Sequence, residues 1–445
     1  MIEQGKKSVV HAEPTKDFFI RMITRDITLQ DCIFDLLDNC LDGAGREIKL
    51  KQLNPHEEQR YQGFWAKVVL EHDRFEIADN CGGITLTDAV EYAFHFGRRT
   101  DAPSDVNHSI GLYGIGMKRA VFKIGKKINV ESHADQSFLV HIDVDEWAKD
   151  PDDWDFEYEQ LPKHEEHGTT IRITALNEGI ADEFRQVVFK NNLIKNIARD
   201  YSFFLQKGFA VTIGDQQIQP FLFCLRESED FKPIKIQYQD ETGVDVEILA
   251  GLAGSPPDDI SPEVKLDKLE YSGWFVLCND RVVIAGDKTD RTVWGEGVFP
   301  GWHPQYNSFM GIVSFRSNDP VKLPWVTTKR DIDQTSPLYR RAVAKMKDAT
   351  REYLDYTNER KEDLEKAKKL EQAANLKPLR QITLSEKMGL PRFTAGPKIK
   401  RATISYHQPI EKVTKAKHAF GNLAMSNKAI GEATFEYYFK NEVEE

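Results

Sequence analysis

The stretch TLQDCIFDLLDNCLDGA (residues 28–44) carries two periodic faces at once. Ile33, Leu36, Leu37, Cys40 and Leu41 recur at steps of three and four, the period of a helix with one face turned to a core. Asp31, Asp35, Asp38, Asn39 and Asp42 fill the other side, for which a solvated polar surface is the plain expectation. Thr28 stands where an N-cap is wanted, its hydroxyl placed to accept from a first-turn amide. Within the polar side, Asp35, Asn39 and Asp42 are spaced i, i+4 and i+7, which lines them up along the helix.

Around this helix the first part of the chain alternates helical and β-rich runs. WAKVVLEH (65–72), RFEIAD (74–79), KKINVES (126–132), FLVHIDV (138–144) and TTIRITAL (169–176) read as strands, and TLTDAVEYAF (85–94) and GMKRAVFKI (116–124) as helices. The mixture predicts an α+β fold with helices over one face of a sheet. Two further motifs lie in this region. IADNCGGIT (77–85) ends a β-run on Asp79 and turns at once through Gly82-Gly83, a place where a carboxylate can accept from an exocyclic amine while a flat ring lies on bare backbone. SIGLYGIGMKRAVF (109–122) sets Gly111, Gly114 and Gly116 before a helix with Lys118 in its first turn, the makings of an anion-binding loop. Its spacing is neither the dinucleotide fingerprint nor the Walker loop.

Taken in order, carboxylate-x3-Asn-x2-Asp, Asp-Asn-x-Gly-Gly, Gly-x-x-Gly-x-Gly-x-Lys and the later Gly168-Thr169 resemble the GHKL ATPase superfamily of gyrase-type topoisomerases, heat-shock ATPase chaperones, sensor histidine kinases and MutL-type repair proteins. The resemblance covers roughly residues 14 to 178. It implies a Bergerat-type α/β sandwich that binds ATP and Mg²⁺. Asn39 matches the magnesium ligand, Asp79 the adenine-reading aspartate with Thr169 in support, and Gly83 the glycine beside the base. Asp42 falls in the same ATP-binding motif. Gly97 to Gly116 match the mobile lid, whose final glycines wrap the phosphates, and Lys118 the lysine found there in MORC-like members. Where the family has a glutamate to activate water, this chain has Asp35, one methylene shorter, so slow turnover is expected, with Asp31 in reserve.

Residues 179–340 read as a second α/β unit. GWFVLCNDRVVIAG (273–286), turning at Asn279-Asp280, resembles the strand pair of the transducer-like, ribosomal S5 domain 2-like domain of MutL and MORC proteins, which has a similar Asn-x-Arg turn. LPWVTTKRDID (323–333) sits where those families place a lysine that senses the γ-phosphate, which selects Lys329, with Arg330 next. A helix is expected over 341–375, then a basic tail over 376–445 with a short terminal helix near EATFEYYFKNE.

Composition narrows the setting. A chain of 445 residues allows two or three domains at about 150 each. The five cysteines are odd in number and scattered, which argues against a disulfide frame or a zinc site and for the cytoplasm, and neither a secretory block nor a membrane span is evident. The net charge of -11 argues against nucleic acid until its distribution is seen: residues 376–417 hold ten Lys/Arg against two Glu, about +8. That block suits either a tether to DNA or an internal counterweight to an acidic body. The resemblance implies a nucleotide-dependent homodimer in which HAEPTKDFFIRMI (11–23) straps across the partner, acting on DNA in genome maintenance or anti-phage defence, with a nuclease as a candidate partner; the alternative is a chaperone-like or scaffold ATPase remodelling a protein.

Overall fold

A capping box starts the long N-terminal helix. The Thr28 hydroxyl accepts from the Asp31 amide at 3.2 Å, and the Thr28 amide donates back to the Asp31 carboxylate at 3.3 Å. The computed structural model describes residues 14–54, 56–96, 115–254, 271–326, 328–393 and 403–443. They fall into two compact units, Met1–Thr394 and Ala395–Glu445.

The helices of the first unit are α1 (Lys16–Arg25), α2 (Leu29–Lys51), α3 (Leu86–Asp88), α4 (Gly116–Ile124), α5 (Val144–Trp147), α6 (Ile180–Arg185), α7 (Val187–Asp200), α8 (Ser202–Gln206), α9 (Pro337–Glu359) and α10 (Leu364–Ala373). Eight strands form its larger sheet: β1 (Trp65–Leu70), β2 (Arg74–Asp79), β3 (Gly125–His133), β4 (Ser137–Asp143), β5 (Tyr158–Leu161), β6 (Gly168–Leu176), β7 (Ala210–Ile213) and β8 (Gln216–Gln217), in the order β5-β4-β3-β6-β2-β1-β7-β8. The five strands read from the sequence are all present, and α4 spans the residues expected of it. Ile33, Leu36, Leu37, Cys40 and Leu41 of α2 are buried in one core with Ile77, Ile128, Val130, Ile171 and Ile173 of the sheet. α4 packs on α2, so the end of the glycine-rich motif is carried against the acidic helix.

Two strands join this sheet from beyond residue 178. β7 runs parallel to β1, with Trp65 opposite Ala210 and Val68 opposite Ile213, and β8 continues the edge. A parallel partner cannot follow through a tight turn, and the chain reaches β7 from β6 by way of α6, α7 and α8. The sheet therefore extends into residues expected to belong to the second domain.

After β9 (Cys224–Glu227), a second sheet gathers β10 (Ile234–Gln239), β11 (Asp245–Leu252), β12 (Gly273–Cys278), β13 (Arg281–Asp287) and β14 (Phe309–Arg316) in the order β10-β11-β14-β12-β13, with α9 packed on β11 and β14. The β12–β13 turn is made by Asn279 (φ 48°) and Asp280 (φ 65°), residues that tolerate the left-handed region. The Asn279 amide closes on Ser317 in both directions, at 2.9 and 3.1 Å.

The expected basic tail begins inside the first unit. β15 (Asn375–Pro378) pairs antiparallel with β9, and Lys232, just before β10, and Lys235, within it, bridge to Gly389 and Ser385. Leu379, Ile382, Met388 and Phe393 are buried. Two of its basic residues are internally paired, Lys377 with Glu227 and Arg392 with Glu359, each at 2.7 Å. The second unit contains α11 (Ile410–Ala419) and α12 (Asn427–Glu442), the latter enclosing the expected terminal helix. Among the described residues no helix is long and apolar enough to cross a membrane.

Candidate functional site

The polar side of α2 is not a solvated surface. From Cys32 to Ala44 every residue is buried except Asn39, which is exposed. Burying a carboxylate is unfavourable unless a cation and hydrogen bonds meet it, and Asp31, Asp35 and Asp38 meet such partners. Asp35 takes the Arg119 Nε at 2.6 Å. Asp38 takes the Lys329 ammonium at 3.0 Å, the Arg281 Nε at 3.3 Å and the Tyr201 hydroxyl at 2.8 Å. Asp31, at the edge, takes the Arg330 Nε at 2.7 Å. Asp42 is buried one turn beyond Asp38.

These cations come from three places. Arg119 is on α4, one turn past Gly116. Arg281 opens β13, fully buried beneath the Tyr201 ring at 4.2 Å, and donates to the Val282 carbonyl at 2.7 Å. Burial works against its charge, but Tyr201, Asp38 and Asp200 override that and raise its pKa. Burial likewise pushes the Asp38 carboxyl up; Lys329 and Arg281 pull harder and hold it below the ordinary range. Lys329 sits at the tip of a loop closed by the Trp325–Ile332 bridge and by the Val326 amide on the Asp331 carbonyl at 3.0 Å. Its φ of 55° is a conformation that non-glycine residues adopt only when the surroundings hold them there. Arg330 beside it lies over the Phe34 ring at 4.1 Å and reaches Asp200 at 3.2 Å. The loop after the second sheet thus lays two successive cations on α2.

At the far side of α2, Asp79 ends β2. Its carboxylate accepts from the Cys81 amide at 2.8 Å, from the Cys40 thiol at 3.4 Å and from the Thr169 amide. Desolvation outweighs these bonds and leaves its pKa raised. Gly168 is fixed by close approach, since a side chain there would run into the Asp79 carbonyl oxygen; Gly83 (φ 72°) is held in the same way against the His133 carbonyl. Asp79, Thr169, Gly83 and Gly168 are therefore brought together, and Cys40 of α2 ties them to the acidic helix.

The phosphate-loop residues divide. Gly111 and Gly114 lie outside the described residues, as does most of the expected lid. Gly116 faces Asp35, whose Cγ would be 3.4 Å from a methyl group placed on that glycine. Lys118 is buried and donates to the Ala93 carbonyl at 2.8 Å; burial lowers its pKa to about 8. In the expected strap, residues 11–13 are likewise outside the description. Phe19 packs edge-on against Phe96 at 4.7 Å and Trp154 at 5.4 Å, and the Lys16 ammonium sits 4.2 Å over the Trp147 ring, whereas Phe18 is exposed.

Arg119, Arg281, Tyr201 and the pairing role of Asp38 were not assigned from the sequence. For Arg281 a signal existed in the Asn-x-Arg turn; for Arg119 there was only its place beside Lys118.

No curated protein matches the chain. Residues 27–173 match a family model described as "Histidine kinase-, DNA gyrase B-, and HSP90-like ATPase". The matched segment runs from just before α2 to within β6 and so contains Asp35, Asn39, Asp79, Lys118 and Thr169. The match supports the GHKL ATPase superfamily for this chain and an ATP-binding ATPase domain within it.

Proposed function

We propose that the chain is a slowly hydrolysing GHKL-type ATPase that works in the cytoplasm as a nucleotide-gated, dimerising switch on DNA. In this reading Asp79 and Thr169 read adenine beside Gly83, and Gly111, Gly114, Gly116 and Lys118 surround the phosphates. Asn39 and Asp42 serve the metal-bound triphosphate. The fit rests on Asn39, the one exposed residue in a buried run of α2, whose amide oxygen is a hard donor suited to Mg²⁺. When bound, Mg²⁺ supplies charge neutralisation for the phosphate oxygens. Asp35 orients water and accepts its proton, and Lys329 senses the γ-phosphate.

The observation that carries the reading is Lys329 seated on Asp38, the residue immediately before Asn39. A cation delivered from a loop after the second sheet to the residue beside the metal ligand supports a sensor that trades a carboxylate for a phosphate. That exchange would couple nucleotide state to the second sheet. Sedimentation of the full chain with and without a non-hydrolysable ATP analogue tests it: a dimer with analogue and a monomer without is expected, and a monomer under both conditions overturns it.

DNA association draws on the basic residues from Lys398 to Lys417; binding should fall steeply between 50 and 200 mM salt, on the order of 10-fold or more for several phosphate contacts. The alternative, a chaperone-like ATPase acting on a protein, draws on Phe435, Tyr437 and Tyr438 of α12, which are exposed. Salt-insensitive behaviour without DNA binding would select it.

A further inference from the structure

We propose that Arg119 is a positioning residue for Asp35, and that the two are a matched pair rather than a weakened version of a glutamate base. This rests on the ATPase reading above.

The sequence presents Asp35 as a defect, a carboxylate one methylene short. The structure gives the shorter side chain its own partner, a guanidinium set at the reach of an aspartate. Asp35 is buried, its Oδ2 is taken by the Arg119 Nε at 2.6 Å, and a methyl group on Gly116 would lie 3.4 Å from its Cγ and 3.6 Å from its Oδ1. Arg119 is itself buried, so this is a fixed contact and not a surface pair. One oxygen is thereby held by the guanidinium, and the other is turned toward Gly116, where the glycine-rich motif passes into α4.

Gly116 and Arg119 lie one turn apart on α4, so a single helix turn supplies both the end of the phosphate loop and the clamp on the carboxylate. An aspartate on α2 with no clamp would rotate about two bonds, and an unproductive rotamer would remove the acceptor from a water near that loop. Positioning within about 1 Å governs such steps, with losses of roughly 100-fold when it fails.

Steady-state hydrolysis by the full chain, with affinity for a non-hydrolysable ATP analogue and urea unfolding measured alongside, tests the pair. Arg119→Met should lower kcat by about 100-fold while KM and analogue affinity stay within about 3-fold, and Arg119→Lys should recover about 10-fold of that loss. Because Arg119→Met leaves Asp35 buried without its cation, the charge-neutral double variant Asp35→Asn/Arg119→Met is included. It should fold and, like Asp35→Asn alone, bind the analogue without hydrolysing ATP. Unchanged kcat in Arg119→Met, parallel loss of kcat and analogue binding, or loss of analogue binding in a folded double variant would each overturn the positioning role. A wild-type chain that neither binds nor hydrolyses ATP overturns the ATPase reading itself, an outcome distinct from an active wild type indifferent to Arg119.

Discussion

The Lys329 ammonium lies 3.0 Å from the Asp38 carboxylate, 291 residues away along the chain, and both side chains are buried. Removing Lys329 leaves the buried Asp38 charge to the longer Arg281 contact at 3.3 Å and the Tyr201 hydroxyl, in a medium that solvates it poorly. Lys329→Met is therefore expected to lower the stability of the nucleotide-free chain by about 3 kcal/mol, read from urea unfolding. Adding Asp38→Asn should return part of that loss, since Arg281 and Tyr201 can still serve a neutral amide poorly but without an exposed imbalance of charge. A single variant as stable as the wild type would mean that the pair contributes nothing to the resting fold.

Asp35→Glu, which restores the residue usual in the family, should slow hydrolysis rather than speed it, by about 10-fold, because the added methylene carries the carboxylate off its 2.6 Å contact with Arg119. Asp35→Asn should abolish hydrolysis and leave ATP binding intact. Phosphate-release kinetics and analogue titration separate the two. Faster turnover in Asp35→Glu would show that the Arg119 contact does not require the shorter side chain.

Lys118 gives a pH-dependent prediction with a definite sign. Burial lowers its pKa from the ordinary 10.5 to about 8, so the folded chain binds fewer protons than the unfolded chain between those values. The penalty is complete below pH 8 and fades as pH rises toward 10.5. Lys118→Met should stabilise the protein at pH 7 by about 2 kcal/mol, after allowance for the Ala93 carbonyl it leaves unpaired, and the gain should shrink steadily toward pH 10. Melting temperatures at pH 7 and pH 10 check this. A gain that is constant with pH would assign it to packing alone.

Two glycines should respond in opposite directions. Gly168→Ala forces a methyl group into the Asp79 carbonyl, and is expected to remove about 3 kcal/mol of stability together with measurable analogue binding. Gly45→Ala lies in α2 with nothing within 4 Å of the added carbon, and should stabilise by up to about 1 kcal/mol. Calorimetry on the two variants suffices; equal effects would contradict the packing described for Gly168.

Much of the first sheet was legible because its elements are set by local pattern. The apolar steps of α2, the residues of α4 and the strands around Ile77, Val130 and Ile171 all follow periodicity, and the Asn279-Asp280 turn follows from residues that accept a positive φ. The error over the acidic side of α2 has a clear origin. Asp31, Asp35 and Asp38 are met by Arg119, Arg281, Lys329 and Arg330, and a local window that sees the aspartates cannot see those cations. The same limit applies to β7. Its neighbours in sequence suggest the second unit, while its hydrogen bonds go to β1. The helix expected over 341–375 stops short of its end, because β9 offers Asn375 and the residues after it an open edge.

That edge decides where the chain can be cut. Ending the protein after Ala374, which the charge pattern alone recommends as a way to remove the basic run, would also strip β15 from β9 and uncover the apolar surface beneath Leu379, Ile382, Met388 and Phe393. An unpaired strand beside fresh hydrophobic surface invites aggregation, and a loss of DNA binding in such a fragment would report misfolding. A chain ending at Thr394 keeps the stitched segment and removes only the second unit. The useful border between the two units therefore falls after residue 394, eighteen residues beyond Leu376, where the basic run begins.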